Sequence, residues 1–249
     1  MLRDKMTSGN DHFEKKKMNF VLSLTEKGIW TKERLKVITL YLFMMAGGLW
    51  HALNVLQDTM RFMASITMAA VSLWLIYEMW KFQKNKIIFR RTVYWLGLVF
   101  ILSLFIENIG VRSGQVFGSY VYGDTLKPFI GDVPLAIGFA WINMLLASAA
   151  VANFLLNDNL KKHVVVSVVI IAFLMVLFDA VMEPAAVKLG YWTWANGEIP
   201  FQNYIAWFIL GQGFAALGMI MRVFNIGVPK IIRHAYFSQL GYFFLVNMK

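Results

Sequence analysis

The chain has 249 residues, of which 59% are hydrophobic, and a mean hydropathy of +0.58, values that place it among polytopic membrane proteins. It contains no cysteine, which excludes a disulfide framework, a thiolate nucleophile and a zinc–cysteine site. Its net charge of +10 is carried in the short segments between apolar runs, an arrangement that serves membrane topology rather than nucleic-acid binding.

Residues 1–35 are polar and lysine-rich and are expected to form a basic cytoplasmic tail. The KKK at 15–17 is not followed by the apolar stretch and small-residue cleavage site of a signal peptide. Residues 36–249 then read as one transmembrane helical catalytic domain. Apolar runs of spanning length lie near 36–54, 62–80, 93–109, 133–156, 163–187 and 201–224, and a further stretch near 235–247 is short for a span. The expected fold is all-α, a membrane bundle of six to seven helices. Nineteen of the 24 Lys and Arg residues fall in the N-terminal stretch up to Lys36 and in the 81–92, 157–163 and 222–235 segments, so the N-terminus is expected to be cytoplasmic.

In chain order, the first run carries His51, in LWHALN, as a packing histidine or a pocket residue. The second ends in Glu78, beside Trp80 and Lys81, and reads as a solvated interface acid. The third ends in Glu107, where ENIG suggests a tight polar turn into an external loop over 110–132. That loop holds Phe117, Tyr120 and Tyr122, and the fourth run carries Trp141 and Asn143.

The fifth run, HVVVSVVIIAFLMVLFDAVMEPAAVKLGYW, contains the most unusual pair in the chain, Asp179 and Glu183. A carboxylate near the bilayer centre costs roughly 2.5–3.5 kcal/mol even on lenient insertion scales. The spacing puts both on one helix face. Packing between helices could be served by Ser, Thr or Asn, so a proton donor and its partner is the stronger reading. Pro184 releases the carbonyl of Ala180 from its helical bond and predicts a bend. A second external loop, 188–200, brings Tyr191, Trp192 and Trp194. The sixth run opens with Phe201, Asn203 and Trp207.

With the expected orientation, these residues, apart from Glu78 at the cytoplasmic boundary, gather at one depth in the outer leaflet. Aromatic residues there are belt residues or, given their density with Gly and Pro, parts of caps closing over the acids. The four histidines (His12, His51, His163, His234) are scattered, without the clustered boxes of membrane di-iron enzymes, and no metal is expected. No lysine sits mid-helix in the last runs for a retinal Schiff base, and no Gly-rich dinucleotide fingerprint or aspartate-rich prenyl-pyrophosphate repeat occurs, so no cofactor is expected.

Two blocks carry a family resemblance. ENIGVRSGQVFGSYVYGDTLKPFIGDVPLAIGFAW resembles the signature E-x-x-G…G-x-x-F-G-x-Y-x-Y…VP…W of the bacterial and archaeal carotenoid biosynthesis membrane proteins. FDAVMEPAAVKLGYWTW, followed by IPFQNYIAW, is similar to that family's second block, D-x-x-x-E-P…W-x-W. The resemblance spans about 100–210; the family includes carotenoid 1,2-hydratases and the bisanhydrobacterioruberin hydratases.

It implies a hydro-lyase that protonates a terminal alkene of an acyclic carotenoid and traps the tertiary carbocation with water. Asp179, Glu183 and Glu107 would be the catalytic set. His51, Phe117, Tyr120, Tyr122, Trp141, Trp192, Trp194, Asn203 and Trp207 would bind substrate. The implied partners are a carotenoid dissolved in the bilayer, the lipid itself and other enzymes of the pathway, with no nucleic acid. A bacterial inner membrane is the implied location. A carotene cyclase, which begins with the same protonation, and a non-catalytic carotenoid binder or transporter are the alternatives.

Overall fold

A computed structural model describes residues 31–248. Most of the expected basic tail therefore lies outside the described residues. The first compact unit ends at Thr39 and, where described, consists of the opening turns of helix α1 (Lys32–Ala52), with Lys36 Nζ 2.8 Å from Glu33 Oε1.

From Leu40 onward the chain forms the second unit. The rest of α1 is followed by α2 (Gln57–Phe82), α3 (Lys86–Ser113), α4 (Leu135–Leu155), α5 (Val164–Lys188), α6 (Phe201–Ile220) and α7 (Lys230–Asn247). Among the described residues, α1 to α6 are long and apolar enough to cross a membrane. The stretch expected to be too short is the C-terminal part of α7, which begins at Lys230. Its 18 residues reach about 27 Å at 1.5 Å per residue. α7 runs alongside α5 for most of that length: Tyr236 Oη donates to Leu174 O at 2.7 Å, and Asn247 Nδ2 donates to Val181 O at 2.7 Å.

Helix ends follow local chemistry. Asn85 caps α3, its side chain accepting from the amides of Ile87 and Ile88. Pro134, Pro200 and Pro229 stand directly before α4, α6 and α7, where a missing N–H forfeits no helical bond. α4 is the central helix, with 83% of its spanning window buried against 28–39% for the other five spans. Its sequence explains this: Gly138, Ala147, Ser148, Ala149 and Ala152 let neighbouring helices approach closely. A Cβ on Gly138 would come within 2.7 Å of the Phe100 ring.

Two expectations at helix ends are corrected. ENIG is not a turn. α3 continues one turn further, to Ser113, and stops at Gly114, whose left-handed φ of 65° lets its amide reach back to Gly110 O. Gly110 is small because Phe117 folds back onto it; a Cβ there would meet the Phe117 ring at 2.7 Å. Glu78 is not a solvated interface acid but is buried, with Trp74 Nε1 donating to its Oε1 at 3.2 Å from one turn earlier. Pro184 lies within a helix that continues to Lys188.

The two loops expected to be caps join each other. β1 (Tyr120–Tyr122) pairs antiparallel with a strand from the second loop, Trp192–Trp194. Between them in sequence come a short 3-10 turn at Asp124–Leu126 and the small hairpin of β2 (Phe129–Ile130) with β3 (Val133–Pro134). The Trp192–Trp194 strand is thus β4. The β1–β4 register sets Tyr120 opposite Trp194 and Tyr122 opposite Trp192.

Candidate active site

Alternation along the ribbon decides which side chains reach inward. In a strand, residues two apart share a face, so Tyr120, Tyr122, Trp192 and Trp194 point one way while Val121 and Thr193 face outward and are exposed. Under the inward face lie two of the glutamates. Glu107, near the end of α3, accepts at Oε2 from Tyr120 Oη at 2.5 Å and Tyr122 Oη at 2.9 Å. Its Oε1 accepts from Trp141 Nε1 of α4 at 2.9 Å. Glu183, on α5, accepts at Oε2 from both ribbon indoles, Trp192 and Trp194, each at 3.0 Å.

The ribbon thus divides its donors. The tyrosines of one strand serve one carboxyl and the tryptophans of the other strand serve the second. Burial first, then the neighbouring Glu107 charge, pushes the pKa of Tyr120 and Tyr122 up, so both phenols stay protonated as donors.

Asn203, in the first turn of α6, links the third acid. Its Nδ2 donates to Asp179 Oδ2 at 2.7 Å and to Glu183 Oε1 at 3.2 Å, holding the two α5 carboxyls together through one amide. Asp179 Oδ1 is buried and has no hydrogen-bond partner among the described residues. None of the ion pairs among the described residues involves these three acids. Their polar partners are uncharged donors throughout.

Glu107 and Glu183 border a cavity of about 50 Å³, walled by Phe117, the ribbon aromatics, Trp141 and Trp207. Trp141 and Trp207 stack face to face, their ring centres 4.3 Å apart. Such a volume takes a few water-sized groups, at roughly 10–15 Å³ each. The faces of these rings, with carboxyls between them, form surroundings suited to a transient positive charge.

Of the residues singled out in the sequence, this cavity gathers Glu107, Glu183, Phe117, Tyr120, Tyr122, Trp141, Trp192, Trp194, Asn203 and Trp207. Asp179 stands behind it, reached through Asn203. His51 is elsewhere: it is buried edge-on to the Tyr242 ring, 5.9 Å between centres, because α1 packs there against α7. The apolar wall residues Met68, Ile137, Ala140 and Met182 had not been singled out. For Met68 a signal exists in the spacing of Met60, Met63, Ala64, Thr67, Met68 and Val71, one stripe along α2.

Fold and site define a polytopic helical membrane protein with three buried acids beneath an aromatic ribbon. The chain belongs to the carotenoid biosynthesis protein family, whose profile matches residues 59–232, a stretch containing all the cavity-lining residues and Asp179. It is similar to the bisanhydrobacterioruberin hydratase of Haloarcula japonica, with 31% identity over 127 residues. That match covers 49% of this chain and 43% of the relative, so less than half of the relative's length is represented. No solved structure matches the chain.

Proposed function

We propose that this protein is a carotenoid hydratase, adding water across the terminal C=C of an acyclic end group. The observation that carries the proposal is the Asp179–Asn203–Glu183 cluster opening onto a small aromatic-walled cavity. Two carboxyls joined by a single amide in an apolar interior cannot both be ionised cheaply and are served by one proton between them. Glu183 borders the cavity and Asp179 stands behind it, so Glu183 delivers the proton while Asp179 shares it.

Protonation of the trisubstituted alkene makes the new C–H bond and leaves a tertiary cation, shielded by the faces of Trp141, Trp207 and the ribbon aromatics. Water forms the C–O bond at the cation and gives up its extra proton to a carboxylate of the set. The product is a tertiary alcohol, and the protein ends with the protons it began with. Glu107, held by three donors, is placed to orient that water. The name of the Haloarcula japonica relative supports water addition over other fates of the cation.

The test is expression in a host that accumulates an acyclic carotene, with pigments analysed by mass. The wild type should convert the pigment to a product one water heavier. Asp179→Asn and Glu183→Gln should abolish it while the protein still inserts and folds. A product of unchanged mass identifies a cyclase, and a bound but chemically unchanged pigment identifies a carrier; either result overturns the hydratase reading.

A further inference from the structure

The acid cavity holds only a few water-sized groups, so an elongated substrate must have most of its length elsewhere. A second cavity, about 260 Å³, lies between α1, α2, α4 and α7. The two share one wall residue, Met68. Apart from Thr59, the cavity's α2 wall is the stripe of Met60, Met63, Ala64, Thr67, Met68 and Val71, spaced to stand above one another on a single helix face. Val71 lies eleven positions after Met60, so the stripe is about 16 Å long at 1.5 Å per residue. Length along one face, rather than roundness, suits a rod-shaped chain.

The chemistry of the wall agrees. Of the polar residues facing this cavity (Thr59, Thr67, Asn143, Tyr191, Gln239 and Tyr242), the two amides are closed on each other: Asn143 Nδ2 donates to Gln239 Oε1 at 2.8 Å and Gln239 Nε2 donates to Asn143 Oδ1 at 3.2 Å, and the Tyr191 and Tyr242 phenols likewise bond one another. The amides therefore bond each other rather than requiring polar groups on an occupant. Thioethers with three rotatable bonds adapt to a chain sliding past them. Phe43, Trp50 and Met63, at the rim between α1 and α2, are exposed on the face that spanning helices turn to lipid.

We propose that the polyene chain of the substrate lies in this methionine-lined cavity, entering sideways between α1 and α2 and passing Met68 to bring its end group to Glu183. The proposal rests on the acid cavity being the place where a carotenoid end group reacts. Met68 then stands where reacting end meets chain, and the volume beside Ala64 and Val71 sets how bulky that chain can be.

Lycopene titrated into the full-length protein in phosphatidylcholine nanodiscs provides the test, read as induced circular dichroism of the polyene band. Ala64→Phe and Val71→Phe fill the cavity from α2 and should weaken binding by about tenfold, the effect of overpacking by a kcal/mol or more. Ile101→Phe, on the exposed face of α3, should bind as the wild type does. Should the filled variants fail to fold, a diazirine-bearing polyene on the wild type decides: adducts on Met60 and Met63 support the site. Adducts only on lipid-facing residues such as Ile101 and Phe105 overturn it. Labelling of the same stripe by a diazirine phosphatidylcholine that lycopene does not displace also overturns it, the occupant then being a lipid acyl chain. Filled variants that fold and bind lycopene like the wild type do the same. The two readings fail separately: a wild type that binds lycopene in this cavity but returns it unchanged loses the hydratase assignment and keeps the chain site.

Discussion

Each ring of the ribbon has a defined errand, and removing one polar atom at a time separates those errands. Tyr120→Phe and Tyr122→Phe each take one donor from Glu107 Oε2, and Trp194→Phe takes one of the two indoles from Glu183 Oε2. A buried acceptor that loses a partner costs about 1–3 kcal/mol. Each variant should therefore show a lower midpoint of thermal unfolding in detergent, with the helical signal below the transition unchanged. Asn203→Leu should be worse than any of these, because it strips an N–H from both α5 carboxyls at once. A midpoint equal to the wild type's would mean that Asn203 does not hold the pair. The acids themselves were legible in the sequence because a carboxyl within an apolar run is an energetic anomaly. Their partners were legible only as a crowd of aromatics, since nothing in the order of residues says that the tyrosines serve one glutamate and the tryptophans the other.

At the scale of elements, the decisive feature is the pairing of two short strands that lie some seventy residues apart in the chain. Each has the alternation of a strand, YVY and WTW, but three residues with period two are too brief to announce themselves beside spanning helices. The loops could be read as caps; their union could not. Gly123 closes the ribbon. Its amide bonds Tyr191 O at 2.8 Å, and a Cβ on it would drive into the carbonyl oxygen of Gly190, which is backbone and cannot swing aside. Gly123→Ala should thus unpair β1 from β4, leaving the helices intact by far-ultraviolet circular dichroism while pigment conversion falls at least tenfold. Retained conversion would show that the ribbon need not stay closed. The over-extension of α3 has a similar origin: Asn108 and Gly110 carry turn propensity, but packing against Phe117 makes a helical glycine the better fit.

Across the whole molecule, hydropathy and charge made most of the spans visible. They located α4 as a span but gave no sign of its central place, with 83% of its spanning window buried, and they left the less apolar α7 as a short stretch. We propose from the Lys and Arg distribution that the site lies on the outer side of the membrane, and a chain without cysteine offers a clean way to check it. Val121 and Thr193 are exposed on the outward face of the ribbon, and Lys84 lies in the α2–α3 connection with the excess of positive charge. Single variants Val121→Cys and Thr193→Cys should react with an impermeant maleimide on intact cells. Lys84→Cys should react only after permeabilisation, since positively charged connections stay cytoplasmic. The reverse pattern would turn the molecule over and move the acids to the inner leaflet without altering any contact among them. The proposed chemistry would survive such an inversion, because a substrate dissolved in the bilayer would still reach Met63 and Trp50 from the side. What would change is the water, which would then reach the cation from the cytoplasm.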